Sequence, residues 1–127
     1  MPFDWNNFLS LAEVLAASND EASKRTALSR AYYCVFNLAL ARAEMTVGPK
    51  PWAEPSHKWC WDQYASTRDP NCQQLGNTGD RLKRIRVKAD YHAADIRRLD
   101  DEVQRMLRDA QEFLVNLATL NPQYPHP

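Results

Sequence analysis

Apolar residues recur along this chain at intervals of three and four, the period of an α-helix that buries one face. The pattern runs through five stretches separated by turn-forming residues. Asp4 is placed to cap a first helix over about 4–17, where Phe8, Leu11 and Leu15 form a stripe with Trp5, Leu9 and Ala12 beside it. Beyond the polar turn Ser18-Asn19-Asp20, residues 21–46 hold neither Gly nor Pro. From Ala31 onward Tyr32, Val35, Phe36, Leu38, Ala39 and Ala43 spread apolar surface around most of the circumference, which predicts a central helix. Gly48, Pro49, Pro51 and Pro55 then break the chain, and Ser56 can cap a third helix over about 57–67 carrying Trp59, Cys60 and Tyr64. Turn-formers dominate 69–79, so a fourth helix is predicted only over about 77–91, capped by Thr78 or Asp80 and burying Leu82, Ile85 and Ala89. The fifth stretch is the most regular, with Leu99, Val103, Met106, Ala110, Phe113, Leu117 and Leu120 alternating at four and three. Asn121-Pro122 ends it, and the Pro-rich residues 122–127 read as an exposed tail. With no strand pattern and no internal repeat, the expectation is one all-α domain over 1–121, an antiparallel bundle of about five helices.

Composition narrows what such a bundle does. Sixteen Lys and Arg balance sixteen Asp and Glu, so a globally basic nucleic-acid coat is excluded and any site for a polyanion must be local. The three Gly all lie beyond residue 47, which removes the Gly-rich phosphate loops used for ATP or NAD, and no cofactor is expected. Three Cys without a Cys-x-x-Cys pair suit a reducing compartment. No apolar run approaches the length of a membrane helix, so no membrane association and a cytoplasmic location are expected. His57, Cys60, Cys72 and His92 match no standard zinc spacing, and no metal site is predicted.

The charge is concentrated in one segment. Arg81-Leu82-Lys83-Arg84-Ile85-Arg86-Val87-Lys88 contains no acid and is followed by Asp90, His92, Arg97 and Arg98. Lys83, Arg84 and Lys88 are either the solvated back of a helix or, with Arg81, Arg97 and Arg98, a set of contacts to RNA phosphates. Arg86 and His92 together offer a metal-free route to RNA cleavage. An imidazole exchanges protons near neutral pH, and a guanidinium neutralises charge on a phosphorane. In an unbroken helix the two residues stand about 120° apart, so they face one another only if the helix ends near Tyr91 or a second chain completes the site.

The segment Ser29-Arg30-Ala31-Tyr32-Tyr33-Cys34-Val35-Phe36 resembles the Ser-Arg-x-Tyr-Tyr-x-x-Phe signature of HEPN-domain proteins. Arg86-Val87-Lys88-Ala89-Asp90-Tyr91 is similar to that family's Arg-x-x-Ala-Asp-Tyr motif, and His57 to a His often found at the start of the third helix. The resemblance spans about 4–120. It implies a HEPN-like bundle and, from the family's Arg-to-His spacing, a metal-independent endoribonuclease that acts as a homodimer with Arg86 and His92 catalytic. Asp90, Tyr91, Ser29 and Arg30 would then support the site. Val87 departs from the polar residue, often Asn, that usually follows the Arg. The family further implies RNA as substrate, a toxin or defence effector role, and a nucleotidyltransferase-like antitoxin as partner. Its other branch implies a catalytically inactive module for RNA binding or assembly.

Overall fold

In the computed structural model the described residues are 2–92, 96 and 98–127. Among them the chain forms five α-helices and no strand: α1 (Asn6–Ala16), α2 (Glu21–Thr46), α3 (Ser56–Ala65), α4 (Pro70–Tyr91) and α5 (Leu99–Thr119). The central position expected of α2 is realised, since every other helix packs against it. It buries Leu28, Tyr32, Val35 and Phe36, and its alanines at 27, 31, 39 and 43 let neighbouring backbones approach. Asp20 starts it by accepting the amide N–H groups of Ala22 and Ser23.

Contacts at the helix ends fix the directions. Lys24 pairs with Asp100 at 2.6 Å and Arg42 donates to the Leu117 carbonyl at 2.8 Å, so α2 and α5 run parallel. His57 meets Tyr32 while Tyr64 donates to the Ala39 carbonyl, so α3 also runs parallel to α2. Ser29 reaches Asp90 at the far end of α4, so α4 runs the opposite way, and α1 does too, with Phe8 beside Arg30 after a short turn. The expected antiparallel order holds for α1–α2, α3–α4 and α4–α5. It fails for α2–α3, because residues 47–55 carry the chain back along α2 by roughly 20 Å before α3 begins.

Further expectations need correction. α4 starts at Pro70 rather than near 77: Asp69 accepts the Cys72 amide at 2.9 Å, and Pro occupies the first turn, where its missing N–H is harmless. Gly76 and Gly79 are therefore interior to the helix. A Cβ on Gly76 would stand 2.6 Å from the Ala65 amide nitrogen, and one on Gly79 2.4 Å from the Trp61 ring, so these residues mark the closest approach of α3 and α4. In α1, Leu11 is 43% exposed and Ala12 is the buried residue, with Phe8, Leu9, Leu15 and Ala16 half-buried around it.

Residues 122–127 are not uniformly an exposed tail. Arg42 donates to the carbonyls of Leu117, Leu120, Asn121 and Tyr124, satisfying the open end of α5. Thr46 donates to the Pro125 carbonyl, and Pro125 is buried. Pro122, Gln123 and Pro127 stay exposed. No described helix is long and apolar enough to cross a membrane.

Candidate functional site

The buried stripe of α4 runs Cys72, Leu75, Gly79, Leu82, Arg86, Ala89 at intervals of three and four. Arg86 is thus part of the stripe, one turn beyond Leu82, and Ile85, expected to be buried, is only half-buried. It is 5% exposed. A guanidinium at such a depth needs compensation, which comes from aromatic rings and one carboxylate. Its Cζ lies 5.6 Å from the Tyr32 ring centroid, 5.1 Å from Tyr33 and 5.7 Å from Tyr91. Nη1 reaches Asp90 Oδ2 at 3.4 Å, a long contact, and Nε is buried with no hydrogen-bond partner among the described residues.

Asp90 lies one turn beyond Arg86 and is shared: Ser29 Oγ donates to the same Oδ2 at 3.1 Å. The structure thus gathers Arg86, Asp90, Ser29 and Tyr91, four of the residues singled out in the sequence, around the Tyr32–Tyr33 pair. Arg30 lies elsewhere, over the Phe8 ring of α1 at 4.9 Å.

His92 stands at the end of this group. α4 stops at Tyr91 and His92 is its extended C-cap, which meets one condition for Arg86 and His92 to face one another, but among the described residues no contact joins their side chains. Arg25 of α2 holds that end, donating to the carbonyls of Ala89 at 3.2 Å and His92 at 2.7 Å. The His92 residue is exposed. No hydrogen bond joins Asp90 to its ring; Arg86 and Ser29 both meet Asp90 at Oδ2.

The basic strip divides. Arg81 pairs with Asp109 of α5 at 3.2 Å and Arg84 with Asp80 at 3.0 Å, both at the surface, where such pairs exchange readily with other anions. Lys88 and Arg98 are exposed, and Lys83 is half-buried. Arg97 lies outside the described residues.

Sequence reasoning gave His57 no role in the site, yet it belongs to this cluster. Its ring stacks on Phe36 with centroids 3.9 Å apart, and its Nδ1 is 2.6 Å from the Tyr32 hydroxyl, whose oxygen accepts the Trp61 indole N–H at 3.1 Å. Burial first, then the charges of Arg86 and Lys83, push the imidazole pKa down to about 4, so it is neutral at physiological pH. Burial likewise raises the Tyr32 hydroxyl, which stays protonated. Tyr32 and Phe36 are core residues that serve the cluster, Tyr32 through its hydroxyl and Phe36 through the face of its ring. Cys60 and Cys72 are enclosed, with thiols raised by burial, and among the described residues no three His, Cys, Asp or Glu side chains converge as a metal would need.

The two segments quoted for their resemblance to HEPN domains therefore meet in space, through Ser29–Asp90 and through Arg86 against Tyr32 and Tyr33. Against family models, curated proteins and solved structures, the chain has no match.

Proposed function

We propose that this protein is a metal-independent endoribonuclease of HEPN type, with Arg86 as the phosphate-binding group and His92 as the proton-transfer group. The observation that carries this reading is the state of Arg86: among the described residues it is a buried guanidinium with one long ionic contact and an Nε without a hydrogen-bond partner. Such a group retains unused capacity for a doubly bonded anion, and it stands in a helix that ends one residue before His92.

In the reaction this arrangement suits, the RNA 2'-oxygen attacks the adjacent phosphorus as His92 takes its proton. The bond to the 5'-oxygen breaks and that oxygen is protonated by water. The products are a 2',3'-cyclic phosphate and a 5'-hydroxyl end. Arg86 neutralises charge that grows on the phosphorane oxygens. Lys83, Lys88, Arg98 and the exchangeable Arg81 and Arg84 add contacts that do not read sequence and weaken with salt. Two copies related by a two-fold axis, with their basic strips adjacent, would convert a neutral chain into one strongly positive cleft. A monomer by light scattering at tens of micromolar would remove that part of the reading. The role as a toxin or defence effector restrained by a nucleotidyltransferase-like antitoxin belongs to the same proposal.

A second reading has its own support. Arg86 at 5% exposure, walled by rings and facing Asp90, is also what a structural arginine looks like, which favours a catalytically silent module for RNA binding or assembly. Cleavage of single-stranded RNA in excess EDTA separates the two. The ribonuclease reading expects His92→Ala and Arg86→Lys each to lose activity by about 10²- to 10⁴-fold while RNA binding partly survives. A His92→Ala protein that cleaves like wild type ends it.

A further inference from the structure

His57 is held with unusual definition for a half-buried imidazole. The Trp61 indole nitrogen only donates, so in its 3.1 Å contact the Tyr32 oxygen is the acceptor. The hydroxyl proton of Tyr32 is then free to point at His57 Nδ1, 2.6 Å away, the one acceptor the hydroxyl meets among the described residues. With Nδ1 accepting that proton, the Tyr32 hydroxyl is satisfied as donor and as acceptor, which favours the tautomer carrying its ring proton on Nε2. Stacking on Phe36 at 3.9 Å fixes the plane of the ring. Nε2 has no hydrogen-bond partner among the described residues and is not enclosed.

What surrounds this donor is positive. His57 and Arg86 flank the same two rings, with His57 centred 5.6 Å from Tyr32 and 6.0 Å from Tyr33. Lys83 lies one turn before Arg86 on α4 and, with it, disfavours a proton on His57. α3 begins here without a side-chain cap, so its first amides are also unclaimed. The independent sign of a ligand is the buried and unpartnered Arg86 Nε.

We propose that His57 is a further phosphate-contacting residue: a tautomer-locked imidazole whose Nε2–H donates to a non-bridging oxygen of the RNA phosphodiester that Arg86 receives. Resting on the ribonuclease reading, this makes His57 an electrophilic donor that positions the phosphate. It moves no proton, which leaves that task to His92.

The imidazole nitrogens of ¹⁵N-labelled protein test this directly. Near neutral pH the His57 signals should show a bare Nδ1 and a protonated Nε2, and Tyr32→Phe should release that preference. A non-cleavable 2'-O-methyl RNA oligonucleotide should then shift the His57 Nε2–H signal. Binding of the same oligonucleotide should survive His57→Gln, whose amide places a donor near Nε2, and should weaken about tenfold or more in His57→Leu, the loss expected for a hydrogen bond to a charged group. A proton on Nδ1 in the free protein, or a His57 signal unmoved by the bound oligonucleotide, overturns the proposal, and both are read on the wild-type fold. If RNA is never cleaved yet oligonucleotide binding depends on His57, the ribonuclease reading falls and the phosphate contact stands. If RNA is cleaved and His57→Leu binds the oligonucleotide as wild type does, the reverse holds.

Discussion

Replacing Gly79 by Ala sets two effects of opposite sign against each other. In an exposed helix interior, Gly to Ala stabilises by about 1 kcal/mol through lower backbone entropy in the unfolded chain and better helix propensity. At Gly79 the new methyl carbon would stand 2.4 Å from Cε3 and Cζ3 of Trp61, well over 1 Å inside ordinary carbon contact distance. The indole cannot fold away. It is 2% exposed, lies edge-on to Phe113 at 5.8 Å, and is held by its hydrogen bond to Tyr32. Nor does α4 slide easily, because one turn earlier Gly76 lies against the Ala65 backbone. Overpacking of this kind falls at the upper end of about 1–3 kcal/mol, so after the propensity gain the net loss should be about 2 kcal/mol. For a domain of this size that lowers Tm by roughly 6–10 °C. Thermal and urea unfolding of Gly79→Ala, with Asn77→Ala on the exposed side of the same helix as the control, provides the measurement. Asn77→Ala should hold or slightly raise stability. A Gly79→Ala protein as stable as wild type would refute the close α3–α4 contact, and with it the placement of His57.

Other perturbations reach different joints. Unfolded His57 takes a proton near pH 6.5 and folded His57 only near 4, so between these values the unfolded chain binds more protons; the associated stability is complete above that window and lost as pH falls through it. Urea titrations across this range should show the loss in wild type and a flatter profile in His57→Gln, and parallel profiles would contradict the assignment. Arg42→Met strips four backbone carbonyls of their donor and should destabilise by about 2–3 kcal/mol while exposing residues after 120 to carboxypeptidase; an unchanged digestion rate would show the tail is held otherwise. Phe36→Ala should lose about 3–5 kcal/mol and free the His57 ring, and unaltered thermal stability would place Phe36 outside the core.

What could be read from the sequence depended on how local the determining contacts are. α5 was legible because it carries its own periodic stripe, and α2 because from Ala31 onward it is apolar around most of its circumference, from which the burial of Tyr32, Val35, Phe36 and Ala39 follows. The start of α4 was misread because Gly76 and Gly79 count as turn-formers until their neighbours on α3 are known, although Asp69-Pro70 is a proper cap and first residue. Extending the stripe backward through Leu75 and Cys72 would have placed Arg86 inside it. The docking of the C-terminus hangs on Arg42, distant along the chain, and nothing near Tyr124 announces it. Of the site, Arg86, Asp90 and Ser29 were visible through their motifs. His57 acquires its meaning only when α3 folds back beside Tyr32, a consequence of the 47–55 return.

The central claim is that RNA supplies its own nucleophile beside Arg86 and His92. An oligoribonucleotide with a single 2'-deoxy nucleotide at the mapped cleavage position, incubated with the protein in EDTA, tests it most directly. The account predicts that the all-RNA strand yields a 2',3'-cyclic phosphate and a 5'-hydroxyl, and that the substituted strand stays intact at that position while still binding. Scission at the 2'-deoxy position, or no cleavage of either strand by protein that binds both, would contradict it.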